Sequence, residues 1–162
     1  MRRNTAYLGM YLALALICSY VESLIPFYFG VPGVKLGLTN IVVVLLLYTL
    51  GAKEAFGVSV MRIFLAGFLF GNPFSILYSL SGGILSFLVM YLLKRTEKLK
   101  VITVSVAGGL MHNIGQLLMA ALVVENYHVL YYLPVLLAAG FVTGFLIGIL
   151  SQEIIIRIGN RM

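Results

Sequence analysis

Residues 74–124 read FSILYSLSGGILSFLVMYLLKRTEKLKVITVSVAGGLMHNIGQLLMAALVV. Two uncharged apolar runs, Phe74–Leu93 and Val101–Val124, flank a basic loop, Lys94-Arg95-Thr96-Glu97-Lys98-Leu99-Lys100. Each run matches the roughly 17–25 residues that a helix needs to cross a bilayer. Lysine and arginine collect in cytoplasmic loops, so the pair reads as two spanning helices joined on the inner side.

The rest of the chain supports the same solvent. It is 62% hydrophobic and 10% charged, with a mean hydropathy of +1.09. A water-soluble domain is about a quarter charged, so the surrounding phase is lipid. The length of 162 residues allows one bundle and no separate soluble domain. With no tryptophan, Tyr and Phe must anchor the interfaces. The net charge of +6 sits in short loops and reports topology, not a nucleic-acid patch. Cys18 stands alone in an apolar stretch and reads as an inert small hydrophobe.

Charges, glycines and prolines cut out four further segments, giving approximate helices at 5–27, 34–50, 55–70, 74–93, 101–124 and 131–151. The first follows Arg2 and Arg3 with no clear cleavage site, so it reads as a retained helix. The second and third are short for a span; they thin the bilayer locally or one is partly re-entrant. With odd helices running outward, every loop lysine and arginine except Lys35 falls inside. The expectation is an all-α membrane protein, a six-transmembrane-helix bundle with both termini cytoplasmic.

Between Pro26 and Thr39 the chain reads PFYFGVPGVKLGLT, too rich in proline and glycine for a regular helix. Two readings stand. It is a lid folded over the bundle, with Phe27, Tyr28 and Phe29 covering an apolar ligand and Lys35 drawing an anion inward. Or it is an amphipathic connector in the headgroup layer. Small residues recur at helix-packing spacing at Gly140/Gly144/Gly148, Gly67/Gly71 and Gly9/Ala13. Most of this is expected to serve packing within the chain, with Gly9/Ala13 the preferred surface for a second membrane subunit.

Ionisable groups inside a membrane are costly and face a cavity or a partner. At 1.5 Å per residue, Glu22, Asn40, Arg62, His112 and Gln116 all fall in the outer half of the bundle, with Asn113 bordering their face. His112 and Gln116 share a helix face at i, i+4. Gly108 and Gly115 beside them leave room for a ligand. The expectation is a substrate pocket open outward, lined by these residues. Against it stand a plain Glu22–Arg62 structural pair and interhelical hydrogen bonds from His112, Asn and Gln.

Enzyme chemistry finds no support. There is no Walker A sequence, no HExxH spacing and no GxSxG elbow. One cysteine and two histidines supply no zinc set. All five acids are glutamates, so an aspartate-rich magnesium motif for diphosphate chemistry is impossible. The expectation is a non-enzyme with no catalytic residue, no metal and no cofactor of its own.

The blocks PGVKLGLTNIVVVLLLYTLG, VMRIFLAGFLFGNP, SLSGGILSFLVMYLLKR and VAGGLMHNIGQLLMA resemble the Gx transporter family, also catalogued as heptaprenyl diphosphate synthase component I. The resemblance covers about residues 5–150, and VKLGLTN and HNIGQ are its specific parts. That family looks like the S components of energy-coupling factor (ECF) transporters. These are six-helix proteins that bind vitamins or precursors from outside while a transmembrane subunit and two ATPases drive uptake. The resemblance implies a lid at Pro26–Thr39 and docking through Gly9 and Ala13, although Thr5, Tyr7 and Met10 interrupt the small-residue stripe. It implies a substrate-binding subunit in the cell membrane for a small, partly apolar, anionic vitamin, quinone or isoprenoid precursor. Arg62 would take the anion, while His112, Asn40 and Gln116 would give hydrogen bonds. Two alternatives remain: a non-catalytic accessory subunit of prenyl diphosphate synthesis, and an unassisted facilitator.

Overall fold

A computed structural model of the chain describes residues 2–25, 35 and 37–159, with residues 2–4 and 159 described by backbone alone. Every regular element among them is helical: α1 (Arg2–Leu24), α2 (Asn40–Thr49), α3 (Ala52–Phe70), α4 (Pro73–Arg95), α5 (Val101–Val124), a short 3₁₀ helix (Tyr127–Tyr132) and α6 (Leu133–Gly159). The termini have local causes. Asn72 caps α4 by accepting from the Ser75 N–H at 2.8 Å, and Pro73 fills the first turn, where its missing N–H is harmless. Glu54 lies in the first turn of α3, where a negative charge suits the helix dipole, so α3 begins at Ala52 and not at Ala55. At the far end, α6 runs on past Ser151, supported by an exposed i, i+4 pair between Arg157 and Glu153 at 2.8 Å.

The least expected element is α2. It starts at Asn40, six residues after the apolar pattern begins at Val34, because Gly37 adopts φ +83°. That left-handed conformation breaks a helix and suits glycine. The Gly37 and Leu38 carbonyls then accept from the Asn40 and Ile41 N–H groups at 2.9 and 3.2 Å, closing the first turn. Ten residues rise only about 15 Å, half of a hydrocarbon core. Yet α2 is apolar all round, and Val42, Val44, Leu46 and Leu47 have no exposed surface. A helix without a polar face belongs in the middle. All five other α-helices pack against α2, which makes it the hub of the bundle. At its C-terminal end Lys94 of α4 donates to the Leu47 carbonyl and lies 4.9 Å from the centre of the Tyr48 ring.

Helices α4, α5 and α6 form the tightest layer. A methyl group placed on Gly115 of α5 would sit 2.9 Å from both the Gly82 Cα and the Ser81 carbonyl oxygen of α4. One placed on Gly144 or Gly148 of α6 would meet the Val106 or Ile102 Cα of α5 at 2.8 or 2.7 Å. The Gly140/Gly144/Gly148 stripe therefore serves packing inside the chain, where small residues let backbones touch. Cross-helix hydrogen bonds from Ser81 to the Gly115 carbonyl and from Ser105 to the Gly144 carbonyl, both 2.8 Å, close the same seams.

Four helical stretches among the described residues are long and apolar enough to cross a membrane: Thr5–Leu24, Pro73–Arg95, Val101–Val124 and Tyr127–Ile158. Large apolar side chains such as Phe68 and Leu122 stand exposed on the bundle's flanks. A surface of this kind is stable only against lipid. The chain is a multi-pass membrane protein.

Candidate functional site

The polar residues expected in the outer half come together around the start of α2. Glu22 of α1, Asn40 of α2, Arg62 of α3, and His112 and Gln116 of α5 are each at most 5% exposed. The chain segment before α2 lies among them. The Gly37 and Leu38 N–H groups donate to one carboxylate oxygen of Glu22, at 2.5 and 3.2 Å. The Lys35 N–H donates to the Gln116 side-chain carbonyl at 3.0 Å. Gly37 also touches the ring of His112 and the amide of Asn40, so even a methyl group there would meet the His112 Cδ2 at 2.9 Å. Removing the Glu22 carboxylate would leave the buried Gly37 N–H and the half-buried Leu38 N–H without an acceptor, the first at about 1–3 kcal/mol.

These contacts orient the remaining groups. Because Gln116 uses its carbonyl on Lys35, its amide nitrogen must donate to the His112 Nε2, 3.0 Å away. A ring nitrogen that accepts carries no hydrogen, so the imidazole is neutral with its hydrogen on Nδ1. That Nδ1 lies beside the Gly82 backbone but is not aligned with an acceptor. The Asn40 amide nitrogen and the Arg62 Nε are likewise buried without a hydrogen-bond partner. The loop thus occupies Glu22 Oε1 and the Gln116 carbonyl, and the three nitrogens left buried without a partner are donors.

Arg62 and Glu22 do not form an ion pair: among the described residues the only one is Arg157–Glu153. Arg62 is nonetheless close enough for its charge to act on Glu22, Lys35 and His112. A buried guanidinium short of hydrogen bonds is expensive.

Three expectations need correction. The pocket is not open outward, because residues 35 and 37–39 fill its mouth and hydrogen-bond to its walls. Gly108 and Gly115 do not leave room for a ligand: Met90 and Ser86 crowd the first, and the Gly82 backbone abuts the second. Asn113 is fully buried elsewhere, its amide donating to the Leu136 carbonyl of α6 at 2.7 Å. That bond ties α5 to α6, while the Asn113 Oδ1 is buried without a partner. Phe27, Tyr28 and Phe29, assigned to the lid, lie outside the described residues.

The other assigned residues are on the surface. Gly9 and Ala13 are exposed on α1, and a methyl group on Gly9 would meet nothing within 4 Å. Gly9 lines a groove of about 550 Å³ between α1 and α3, together with Leu12, Gly57 and Met61. No group of three or more His, Cys, Asp or Glu side chains among the described residues could hold a metal.

The sequence reasoning missed one feature: Gly82 of α4 is the floor under His112 and Gln116, and its signal was the Gly82-Gly83 pair inside a spanning run. No curated protein and no solved structure matches the chain. The family model described as heptaprenyl diphosphate synthase component I matches residues 11–154, most of the chain, and the protein belongs to that family.

Proposed function

We propose that the chain is the substrate-binding membrane subunit of an uptake system, similar to an ECF S component, and that its ligand is a small, partly apolar anion. One observation carries this reading: the cluster around Arg62 buries three nitrogens without a hydrogen-bond partner, Arg62 Nε, Asn40 Nδ2 and His112 Nδ1, while the loop takes up Glu22 Oε1 and the Gln116 carbonyl. Donors around a buried positive charge suit a carboxylate or phosphate. The ligand would reach them when residues 35 and 37–39 withdraw, and these would close again over it.

In this reading all six α-helices lie in the cell membrane with both termini cytoplasmic. Exposed Gly9 and Ala13 beside the α1/α3 groove would receive the transmembrane subunit, and two ATPases would supply the energy. The family's printed description supports a second reading, a non-catalytic accessory subunit of heptaprenyl diphosphate synthesis. Crosslinking and co-purification from native membranes separates the two. The uptake reading expects a transmembrane partner and two ATPases, with crosslinks from Gly9→Cys and Ala13→Cys. Recovery of a soluble prenyltransferase without ATPases would overturn it in favour of the accessory subunit.

A further inference from the structure

A second cavity lies next to the cluster. Helix α1 packs on α3 and α2 and makes no close backbone approach to α4, α5 or α6 among the described residues. The gap between α1 and α6 is a crevice of about 360 Å³, walled by Ile17, Cys18 and Val21 of α1 and by Thr143 and Ile147 of α6, with Ile41 of α2 as its floor. That volume lies within the range of small-molecule sites.

The crevice and the buried cluster share a wall. Leu38 lines the crevice, and its own N–H binds Glu22. Cys18, also on the lining, is close enough to Glu22 and Arg62 for both charges to act on its thiol. Its neighbour Ser19 is hydrogen-bonded to Thr39 at 3.1 Å, at the base of the inserted segment. Across the Leu38 wall from a donor-rich positive cluster there is therefore an aliphatic slot open towards lipid.

We infer that the α1/α2/α6 crevice takes the hydrocarbon tail of an amphiphilic anion whose head binds at Arg62, so that the ligand is a single apolar chain ending in a phosphate or carboxylate. This rests on the anion-binding reading above. It adds the tail and its route: such a molecule partitions into the bilayer and slides in sideways between α1 and α6. Partitioning concentrates such a molecule in the bilayer beside the crevice, where inorganic anions do not collect. Inorganic anions of the same head chemistry should therefore bind far more weakly.

Cys18 is the chain's one cysteine, so its alkylation reports on the crevice without any engineering. The test uses the intact protein in lipid nanodiscs. It follows the rate of N-ethylmaleimide reaction and, in parallel, the melting temperature. Farnesyl diphosphate, palmitate, farnesol and inorganic diphosphate are the probes, the first two distinguishing an isoprenoid from an acyl source. One of the tailed anions should slow alkylation at least tenfold. Arg62→Gln should abolish that protection, and Thr143→Phe should weaken binding of the tailed anion tenfold or more while leaving the response to inorganic diphosphate unchanged. If a tailed anion raises the melting temperature but leaves the alkylation rate of Cys18 untouched, the tail lies elsewhere and the inference falls while the anion site stands. Equal protection by farnesol and both anions, unaffected by Arg62→Gln, would mean ordinary lipid in the crevice and would also overturn it. If no anion, tailed or not, shifts the melting temperature, the anion-binding reading itself fails.

Discussion

Replacing Arg62 with methionine should stabilise the empty protein and abolish ligand binding. Arg62 is 4% exposed, makes no ion pair, and buries Nε without a partner. Holding an unsatisfied polar group in the interior costs about 1–3 kcal/mol. Methionine fills similar space without that cost, so thermal unfolding in detergent should rise by several degrees. Binding should move in the opposite direction. Truncating one member of a buried charge pair costs about 2–5 kcal/mol, which is roughly thirty- to several-thousandfold in affinity. Titration with carboxylates, phosphates and diphosphates against the wild type provides the second readout. A structural arginine would behave differently: its loss would lower the melting temperature and leave any affinity largely intact. Opposite signs in the two measurements are the mark of a group held unsatisfied for function.

The second large effect concerns backbone contact between α4 and α5. Gly115→Ala places a methyl group 2.9 Å from the Gly82 Cα and from the Ser81 carbonyl oxygen. Neither is the tip of a flexible side chain, so the helices must separate. Overpacking of this kind costs about 1–3 kcal/mol, and valine should cost more than alanine. His112 and Gln116 flank Gly115 on α5, so ligand affinity should fall with stability. Gly57→Ala is the paired control, because nothing lies within 4 Å of its added methyl. There the same chemical change should leave stability unchanged or raise it by up to about 1 kcal/mol, the helix propensity gained over glycine. Equal losses at both positions, measured by thermal unfolding, would contradict the packing described for α4 and α5.

How much of this could be read from the sequence varies with the kind of interaction. The runs behind α4 and α5 were legible because lipid demands continuous apolar helices of a set length. The joint placement of His112 and Gln116 was legible from their i, i+4 spacing. The start of α2 was legible in part: the apolar run from Val34 suggested an early beginning, the glycines and prolines of Pro26–Thr39 argued against it, and the φ of Gly37 decides for Asn40. The bond of Asn113 to α6 was not legible: one residue along the helix from His112 turns the side chain by about 100°, which brings its amide to the Leu136 carbonyl. The role of Glu22 was also hidden. Its height suggested a partner for Arg62, but its carboxylate oxygen binds N–H groups of the segment that follows α1. A backbone partner leaves no trace in residue type. The glycines of α5 signalled close approach, and only the packed structure says that α4 makes it.

The central claim is that the donors around Arg62 form an anion site covered by residues 35 and 37–39. A structure of the protein in nanodiscs, carrying its co-purified ligand, tests this most directly. The account predicts an anionic group within about 2.7–2.9 Å of the Arg62 guanidinium, with Asn40 and His112 donating to the same group and Gly37 still seated over it. A ligand held in the α1/α3 groove beside Gly9 and Gly57, with Arg62 still without a partner, would contradict it.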